Sequence, residues 1–277
     1  MPVDQRPIAM LDSGVGGLSI LREVRRQLPN EDVLYFADQG HVPYGPRPAQ
    51  EIRKLTEDIT RFFLELDAKT VVLACNAASA ASLHHLRRTF PHIPFVGMEP
   101  AVKPAAERTH SGVIGVLTTK ATFQGELFAS VIDRFAANVT VETQVCPVFV
   151  ELVERGELDG PHTRETARRY LAPLLEAGVD QLVLGCTHFP FLTPVLREIA
   201  GPGVDIIDPS PAVARQAGRV IAGMRNGETH QGVVRYFTSG DQAAFAALAG
   251  RLMDEPVSGQ QVTPVRWGEG GIRILGG

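Results

Sequence analysis

Two cysteines stand at equivalent points of two buried-strand patterns. Cys75 closely follows the apolar run Val71–Leu73, and Cys186 closely follows Leu182–Leu184. Buried strands of parallel α/β sheets read as continuous apolar runs, and ligands bind beyond the carboxyl ends of such strands. The pattern therefore predicts that two thiols reach the place where an α/β fold carries out its chemistry.

Two thiols that face each other across a cleft suit a reaction that inverts a stereocentre. A planar carbanion has two faces, so one thiolate can remove a proton from one face while the opposite thiol returns a proton to the other. A thiol whose pKa is tuned toward the working pH serves as base or acid. If helices begin just after Cys75 and Cys186, their positive ends are expected to lower the thiol pKa.

Other uses of the cysteines stay open. Each could be a small buried apolar residue, which is our interpretation of Cys146, because its neighbours offer no polar group of this kind. A redox pair would usually have the Cys-X-X-Cys spacing, which is absent. Structural zinc requires four ligands, whereas Cys75, Cys186 and His188 supply three at most.

The segment Asp12–Gly17 resembles part of a dinucleotide fingerprint, with Asp38 in the place of the ribose-binding carboxylate. The third glycine of that fingerprint would fall at Ser19, and Asp12 would bring negative charge to a phosphate. We therefore interpret the segment as a tight turn whose N–H groups and Ser13 hydroxyl bind a carboxylate. Asp12 is then a group that orients or polarises near Cys75, or alternatively a helix cap.

Two further side chains could support the thiols. His188 follows Cys186 by two residues, and it is either a hydrogen-bonded structural histidine or a neighbour that tunes proton transfer at that thiol. Glu151 lies in a predicted helix and is either a surface cap or a supporting carboxylate.

The elements that position these residues repeat along the chain. Strands are predicted at 8–11, 33–37, 71–74, 95–98, 113–117, 139–142, 182–184, 204–208 and 234–238. Helices are predicted at about 18–28, 49–66, 79–89, 122–135, 150–156, 163–177, 212–224 and 242–252. This alternation indicates an α/β fold with largely parallel sheets.

The second half of the pattern can be laid on the first. Residues 11 and 117, and likewise 33 and 139, are 106 apart, and residues 75 and 186 are 111 apart. We therefore predict two pseudo-symmetric, doubly wound α/β domains with the active site in the cleft between them. The first domain comprises residues 1–98 plus 209–277 and is discontinuous, and the second comprises residues 99–208.

Composition limits the classes of function. The 277 residues are 44% hydrophobic and 21% charged with a net charge of −4, which is typical of a globular protein and gives no basic surface for nucleic acid. No apolar stretch approaches the roughly 20 residues that span a bilayer. Three cysteines in a chain of this length suit a reducing compartment. We expect a soluble cytoplasmic protein that binds neither nucleic acid nor membrane.

These motifs together resemble the glutamate racemases of the aspartate/glutamate racemase superfamily. The matching segments span most of the chain in the family's order and are Leu11–Gly17, Tyr35–Asp38, Pro43–Gly45, Ala74–Asn76, Leu184–Pro190 and Ile207–Pro209. The resemblance implies cofactor-independent interconversion of L- and D-glutamate, which supplies D-glutamate for peptidoglycan and the cell wall. It also implies two α/β domains with the site between them and a homodimer.

The resemblance also implies roles for single residues. Cys75 resembles the base that acts on D-glutamate and Cys186 the base that acts on L-glutamate, with Asp12 and His188 as their respective assisting groups. Glu151 resembles a further assisting carboxylate. The implied substrate contacts are Asp12, Ser13, Tyr44, Gly45, Asn76, Ala77, Thr119, Thr122, Thr187 and His188. At position 77 the family usually has threonine, so a hydroxyl that often contacts substrate is replaced here by the methyl group of Ala77.

Three alternatives remain beside glutamate racemisation. The chain could racemise aspartate or another amino acid. It could be a nucleotide-binding oxidoreductase of the Rossmann type, or a binding protein for acidic amino acids in which the thiols are incidental.

Overall fold

The structure, a computed structural model, describes residues 3–136 and 138–275. The strands, numbered in chain order, are β1 (Ile8–Asp12), β2 (Val33–Ala37), β3 (Thr70–Leu73), β4 (Phe95–Val96), β5 (Val113–Thr118), β6 (Thr140–Val145), β7 (Gln181–Leu184), β8 (Asp205–Ile207), β9 (Val234–Thr238), β10 (Val262–Gly268) and β11 (Gly271–Ile274).

Helices connect most of these strands. They are α1 (Leu18–Gln27), α2 (Ala49–Glu65), α3 (Asn76–Thr89), α4 (Val102–Arg108), α5 (Lys120–Phe123), α6 (Glu126–Phe135), α7 (Pro147–Glu154), α8 (Pro161–Glu176), α9 (Thr193–Ala200), α10 (Ser210–Val220) and α11 (Gln242–Met253). Short 3₁₀ helices cover Phe189–Leu192 and Gly259–Gln261. Across the two described ranges, no helix combines the length and apolarity needed to cross a bilayer.

The strands form two sheets that share one core topology. The first sheet has the order β11-β10-β9-β2-β1-β3-β4, and the second has the order β6-β5-β7-β8. The series β2-β1-β3-β4 and β6-β5-β7-β8 are therefore equivalent, and all their pairings are parallel. Cys75 follows β3 and Cys186 follows β7, the equivalent strands. The predicted pseudo-symmetric α/β fold is confirmed.

The chain after the second sheet returns to the first. Strand β9 pairs with β2 and β10 pairs with β9, both in parallel, while β11 closes the edge as an antiparallel hairpin with β10. These three strands have no counterpart in the second sheet. This strand membership supports the predicted discontinuous first domain, although the boundaries at residues 98 and 208 stay predictions.

Some element limits differ from the sequence-based expectation. The single helix expected at 122–135 is two helices, α5 and α6, separated at Gln124 and Gly125. Helix α3 begins at Asn76 rather than 79 because Cys75 is its N-cap, and its sulfur accepts the N–H of Ala78 at 3.5 Å. A sulfur acceptor does not belong to the usual N-cap signature of Ser, Thr, Asp or Asn. Helices α4 and α9 and the β10–β11 hairpin were not predicted.

A buried ion pair fastens the start of the chain and the tail to the first sheet. Lys69 Nζ lies 2.6 Å from Glu31 Oε2, and the two side chains are 0% and 2% exposed. Lys69 also donates to the carbonyl of Asp4 at 2.9 Å, and Glu31 Oε1 accepts the N–H of Asn226 at 3.0 Å. The pair thus joins four separate stretches of chain at the amino end of the sheet.

Loss of one partner of this pair is expected to destabilise the fold severely. Lys69→Met leaves a buried carboxylate without its cation, which typically costs about 3–5 kcal/mol in the free energy of unfolding. Urea denaturation followed by circular dichroism measures this loss. The exposed pair Lys54–Asp58 supplies the control, because Lys54→Met should change stability by less than about 1 kcal/mol. Equal losses from the two variants would contradict the expectation.

Candidate active site

Both predicted thiols line one cavity between the two sheets. Its volume is about 380 Å³, within the range of roughly 300–1,000 Å³ that is typical of small-molecule sites. Among the predicted site residues, those in its lining are Ser13, Tyr44, Gly45, Cys75, Asn76, Ala77, Thr119, Glu151, Cys186, Thr187 and His188. Asp12 and Thr122 lie behind this lining, where they bond to Thr187 and Thr119 respectively. The structure therefore brings the predicted residues together.

The pKa of the Cys75 thiol differs from the expectation. Burial raises its pKa well above the usual range, and the nearby charges of Asp12 and Cys186 raise it further. The N–H groups of Ala78 and Ser13 act in the opposite direction but do not compensate. The expectation that a helix start would lower this pKa is wrong, because the loss of hydration outweighs the helix terminus. Cys75 is therefore a protonated thiol at neutral pH.

Cys186 belongs to a different kind of hydrogen-bonded group. His188 Nδ1 lies 3.6 Å from Cys186 Sγ, and His188 Nε2 lies 2.7 Å from Glu154 Oε1. An imidazolium can donate to both neighbours at once, since both of its ring nitrogens carry protons. His188 thus connects the thiol to a carboxylate at the end of α7.

Charge on these neighbours keeps His188 protonated. Burial alone would lower the pKa of His188, but the hydrogen bonds and negative charges of Cys186 and Glu154 raise it well above its ordinary value. Burial would raise the pKa of Glu154, yet its bond to His188 lowers that pKa overall. The pair is therefore an imidazolium and a carboxylate, with the positive ring beside Cys186.

Glu154 was not singled out from the sequence. The predicted supporting carboxylate was Glu151, which lines the cavity but is exposed, one helical turn before Glu154. The N–H of Val15 donates to Glu154 Oε1 at 2.9 Å, and Gln39 donates to its other oxygen at 3.3 Å. Helical spacing places both glutamates near one face, so the sequence alone could not choose between them. An assisting role of Glu151 stays a prediction.

Asp12 is fully buried and bonded across the cleft. Its Oδ1 accepts the N–H of Gly14 at 2.7 Å, and its Oδ2 accepts the hydroxyl of Thr187 at 3.0 Å. Burial raises its pKa to about 6, although the positive charge of His188 acts in the opposite direction. Asp12 does not cap α1, because Gly17 stands at that N-cap. The alternative interpretation as a helix cap is therefore wrong.

The glycines after Asp12 allow the second sheet to approach. A Cβ atom at Gly14 would overlap the Glu154 carboxylate, and one at Gly16 would overlap the His188 ring. The segment has the glycine-rich composition of a phosphate-binding loop. Here, however, its glycines make room for the His188 imidazole and the Glu154 carboxylate. This close approach is the physical reason for the glycine-rich pattern.

Asn76 supplies polar atoms that the protein leaves unsatisfied. In the part of the chain that the structure describes, neither its side-chain nitrogen nor its side-chain oxygen has a hydrogen-bond partner, although both are buried. Buried polar groups of this kind require an explanation, and here both belong to a residue of the cavity lining. The adjacent Ala77 is also in the first turn of α3, where N–H groups have no intrahelical acceptor.

Another wall of the cavity, formed by Gly45 and Thr119, joins the two sheets. The carbonyl of Gly45 accepts the N–H of Ala121 at 2.9 Å, and Gly45 packs closely on Thr119. The hydroxyls of Thr119 and Thr122 lie 3.1 Å apart. Of these two threonines only Thr119 reaches the lining, so Thr122 acts on the cavity through Thr119. A hydrogen-bonded wall thus closes this side of the cleft.

Residues 16–217 match the family model for the Asp/Glu/Hydantoin racemases. The chain belongs to this family. It is 51% identical over 250 residues to a glutamate racemase from Roseiflexus sp., with 89% of this chain and 92% of the relative covered. The resemblance to glutamate racemases found in the sequence is thereby confirmed, and with it the prediction of an isomerase.

Solved structures agree with this assignment. The Escherichia coli glutamate racemase, in complex with L-glutamate and the activator UDP-MurNAc-ala, has a TM-score of 0.82 at 29% identity and covers 98% of this chain and 100% of its own. The Francisella tularensis glutamate racemase, in complex with D-glutamate, has a TM-score of 0.80 at 26% identity and covers 93% and 99% respectively.

Because the pKa of Asp12 is raised in the fold, we expect this residue to make the free energy of unfolding depend on pH. Burial raises the pKa of Asp12 from its ordinary value of 3.8 to about 6 in the fold, so the stability that this group contributes is fully present below about pH 4 and is lost as the pH rises through about 6. Asp12→Asn removes this cost and should raise the free energy of unfolding at pH 8 by about 2–3 kcal/mol. The gain should vanish toward pH 4.

Urea denaturation of both proteins at a series of pH values measures this difference. The same variant should lose racemisation, so the gain in stability and the loss of activity appear together. A variant that is less stable than the parent at pH 8 would contradict the assignment of a destabilised carboxylate.

Proposed function

We propose that the protein interconverts L- and D-glutamate without a cofactor, by removal of the Cα proton on one face and its return on the other. One observation carries the proposal. Cys75 and Cys186 come from equivalent strands of two sheets and line the same cavity, and each has an acid–base group of its own beside it. The relatives named above are glutamate racemases.

From L to D, Cys186 is the base. The positive His188 ring stabilises a thiolate at Cys186, which removes the Cα proton and becomes a thiol. The electron pair is left on Cα and is delocalised into the α-carboxylate. Cys75, which burial keeps protonated, then donates its proton to the opposite face. The product is D-glutamate, with a thiolate at Cys75 and a thiol at Cys186.

From D to L, the roles reverse and Cys75 must lose its proton. Asp12 has a pKa of about 6, so its carboxylate is largely ionised at neutral pH and can accept that proton. The Cys75 thiolate then removes the Cα proton, while His188 gives its ring proton to the Cys186 thiolate, which passes that proton to the opposite face of Cα. L-Glutamate is formed, and return of the proton from Asp12 to His188 restores the starting site. The carboxylate supports one thiol and the imidazolium supports the other, which agrees with the assisting roles that the family resemblance implies.

The cavity provides groups for both carboxylates and the ammonium of glutamate. The unsatisfied Asn76 side chain can both donate and accept. Ser13 and Thr187 offer hydroxyls in the lining, and the N–H of Ala77 lies at a helix start that favours anions. Replacement of the usual threonine by Ala77 removes one hydroxyl but leaves this N–H group.

The wider role follows from the same assignment. We propose that the D-glutamate formed enters peptidoglycan synthesis, and thus cell-wall biogenesis and cell shape. We also propose a cytoplasmic location, a homodimer and a division into the two domains predicted from the sequence. These proposals rest on the family resemblance.

Single-thiol variants test the two-face mechanism. In D₂O, the parent should lose the optical activity of either enantiomer and place deuterium at Cα. Cys75→Ala should abolish racemisation but still exchange the Cα proton of L-glutamate, because Cys186 reaches only one face. Cys186→Ala should exchange D-glutamate only. Polarimetry and proton NMR measure the two signals.

Cys146→Ala is the matched control, because Cys146 is a buried thiol that bonds the carbonyl of Gln144 outside the cavity lining. It should racemise like the parent. A parent that leaves both signals unchanged over hours would contradict the proposed function. The same assay with L- and D-aspartate shows whether glutamate is preferred.

The two glutamates of α7 can be separated by a matched pair of variants. Glu154→Gln removes the charge that keeps His188 protonated, so kcat from L to D should fall by roughly 10²-fold, as expected for a group that acts through an acid–base partner. Glu151→Gln should have a smaller effect. Steady-state polarimetry in both directions measures this. The opposite ranking would assign the assisting role to Glu151.

A further inference from the structure

Asp38 is a buried carboxylate at the end of β2, and the proposed mechanism does not use it. Four side chains surround its two oxygens. The Tyr44 hydroxyl donates to Oδ2 at 2.7 Å, and His41 Nδ1 lies 3.0 Å from both oxygens. Ser239 and Trp267 donate to Oδ1 at 2.6 Å and 3.0 Å. A carboxylate with this many partners is held in one orientation.

These partners come from two parts of the chain that are distant in sequence. His41 and Tyr44 belong to the loop of residues 39–48, which supplies Tyr44 and Gly45 to the cavity lining. Ser239 follows β9 and Trp267 lies in β10, in the tail that has no counterpart in the second sheet. Asp38 is therefore one point at which the tail is bonded to the wall of the active site, beside the bonds of Gly40 to Ser239 and of Thr238 to Gln39.

The bond to Asp38 also determines what Tyr44 can offer to a substrate. A phenol has one proton, and Tyr44 donates it to Asp38. Burial, together with the negative charge of Asp38, raises the pKa of Tyr44 well above its ordinary value, so the hydroxyl keeps that proton. Tyr44 then contributes its ring and backbone to the lining, while its hydroxyl bond fixes where they lie.

We infer that Asp38 is a positioning residue for substrate binding, which holds the loop of residues 39–48 through Tyr44 and His41 and is itself held by Ser239 and Trp267 of the tail. The inference rests on the proposed racemisation of glutamate. The loop bonds to the second sheet through Gly45 and Ala121, so its position also sets how the wall of the cleft closes. Among the described residues, the side-chain partners of Asp38 do not include either thiol, so we expect the chemical step not to depend on Asp38.

Asp38→Asn tests the inference. An amide accepts on one oxygen only, so the four donors can no longer all be satisfied. The loop conformation that binds substrate is then present in a smaller fraction of the molecules, and the apparent affinity for glutamate falls in proportion to that fraction. KM for D- and L-glutamate should rise about tenfold, as expected for loss of a hydrogen bond to a charged group, while kcat stays within roughly threefold.

Trp267 provides a second readout, because it is the single tryptophan of the chain and donates to Asp38. In the parent, saturation with D-glutamate should change its emission, with a midpoint near KM. In Asp38→Asn, this change should be lost or shifted to the higher concentration at which the variant is saturated.

Asp32→Asn is the matched control. Asp32 precedes the other end of β2 and also bonds a histidine and the tail, through His230 Nε2 at 2.8 Å and the N–H of Val233 at 2.9 Å. It lies outside the cavity lining. Both variants are expected to lower the melting temperature, but Asp32→Asn should keep the parental KM and the parental emission change.

The outcomes distinguish failure of the proposed function from failure of the inference about Asp38. A parent that does not racemise glutamate would overturn the proposed function. A parent that racemises, with an Asp38→Asn variant of unchanged KM, would overturn the inference alone. Equal increases in KM for Asp38→Asn and Asp32→Asn would assign Asp38 a general structural role and would also overturn it.

Discussion

The contact between the glycine segment after β1 and the His188–Glu154 pair is the constraint on which the site depends. Two thiols from separate sheets can flank one α-carbon only if the sheets approach closely. Gly14 and Gly16 leave the space that Glu154 and His188 occupy, and the N–H of Val15 bonds to Glu154. A side chain at Gly14 would displace the Glu154 carboxylate, and one at Gly16 would displace the buried His188 ring, so either would disturb the pair beside Cys186.

Neighbouring side chains give the two buried thiols different surroundings despite their equivalent positions. At Cys75, loss of hydration and the charge of Asp12 favour the thiol. At Cys186, a protonated imidazole lies 3.6 Å from the sulfur. The two thiols therefore have different acid–base neighbours, as the proposed removal of a proton on one face of Cα and its return on the other requires. The fold repeats the scaffold, whereas the neighbouring side chains make the two halves chemically different.

The sequence was informative where a local pattern determines the outcome. Apolar runs fixed the strands that precede Cys75 and Cys186, and their spacing revealed the repeated topology. Contacts between distant residues were not accessible in this way. Glu154 is bonded to His188 and to the N–H of Val15, which lie 34 and 139 residues away, and one helical turn separates it from Glu151. The pKa of Cys75 depends on burial between sheets, so a helix terminus alone was a poor guide.

The hydrogen bonds across the cleft explain why the site requires both sheets. Asp12, at the end of β1, is the group proposed to assist Cys75 of its own sheet, and it accepts the hydroxyl of Thr187 from the second sheet. His188 is the group proposed to assist Cys186 of its own sheet, and its partner Glu154 accepts hydrogen bonds from Val15 and Gln39 of the first. Each acid–base group is thus oriented by the opposite sheet. A change that separated the two sheets would break these bonds and so disturb the surroundings of both thiols together.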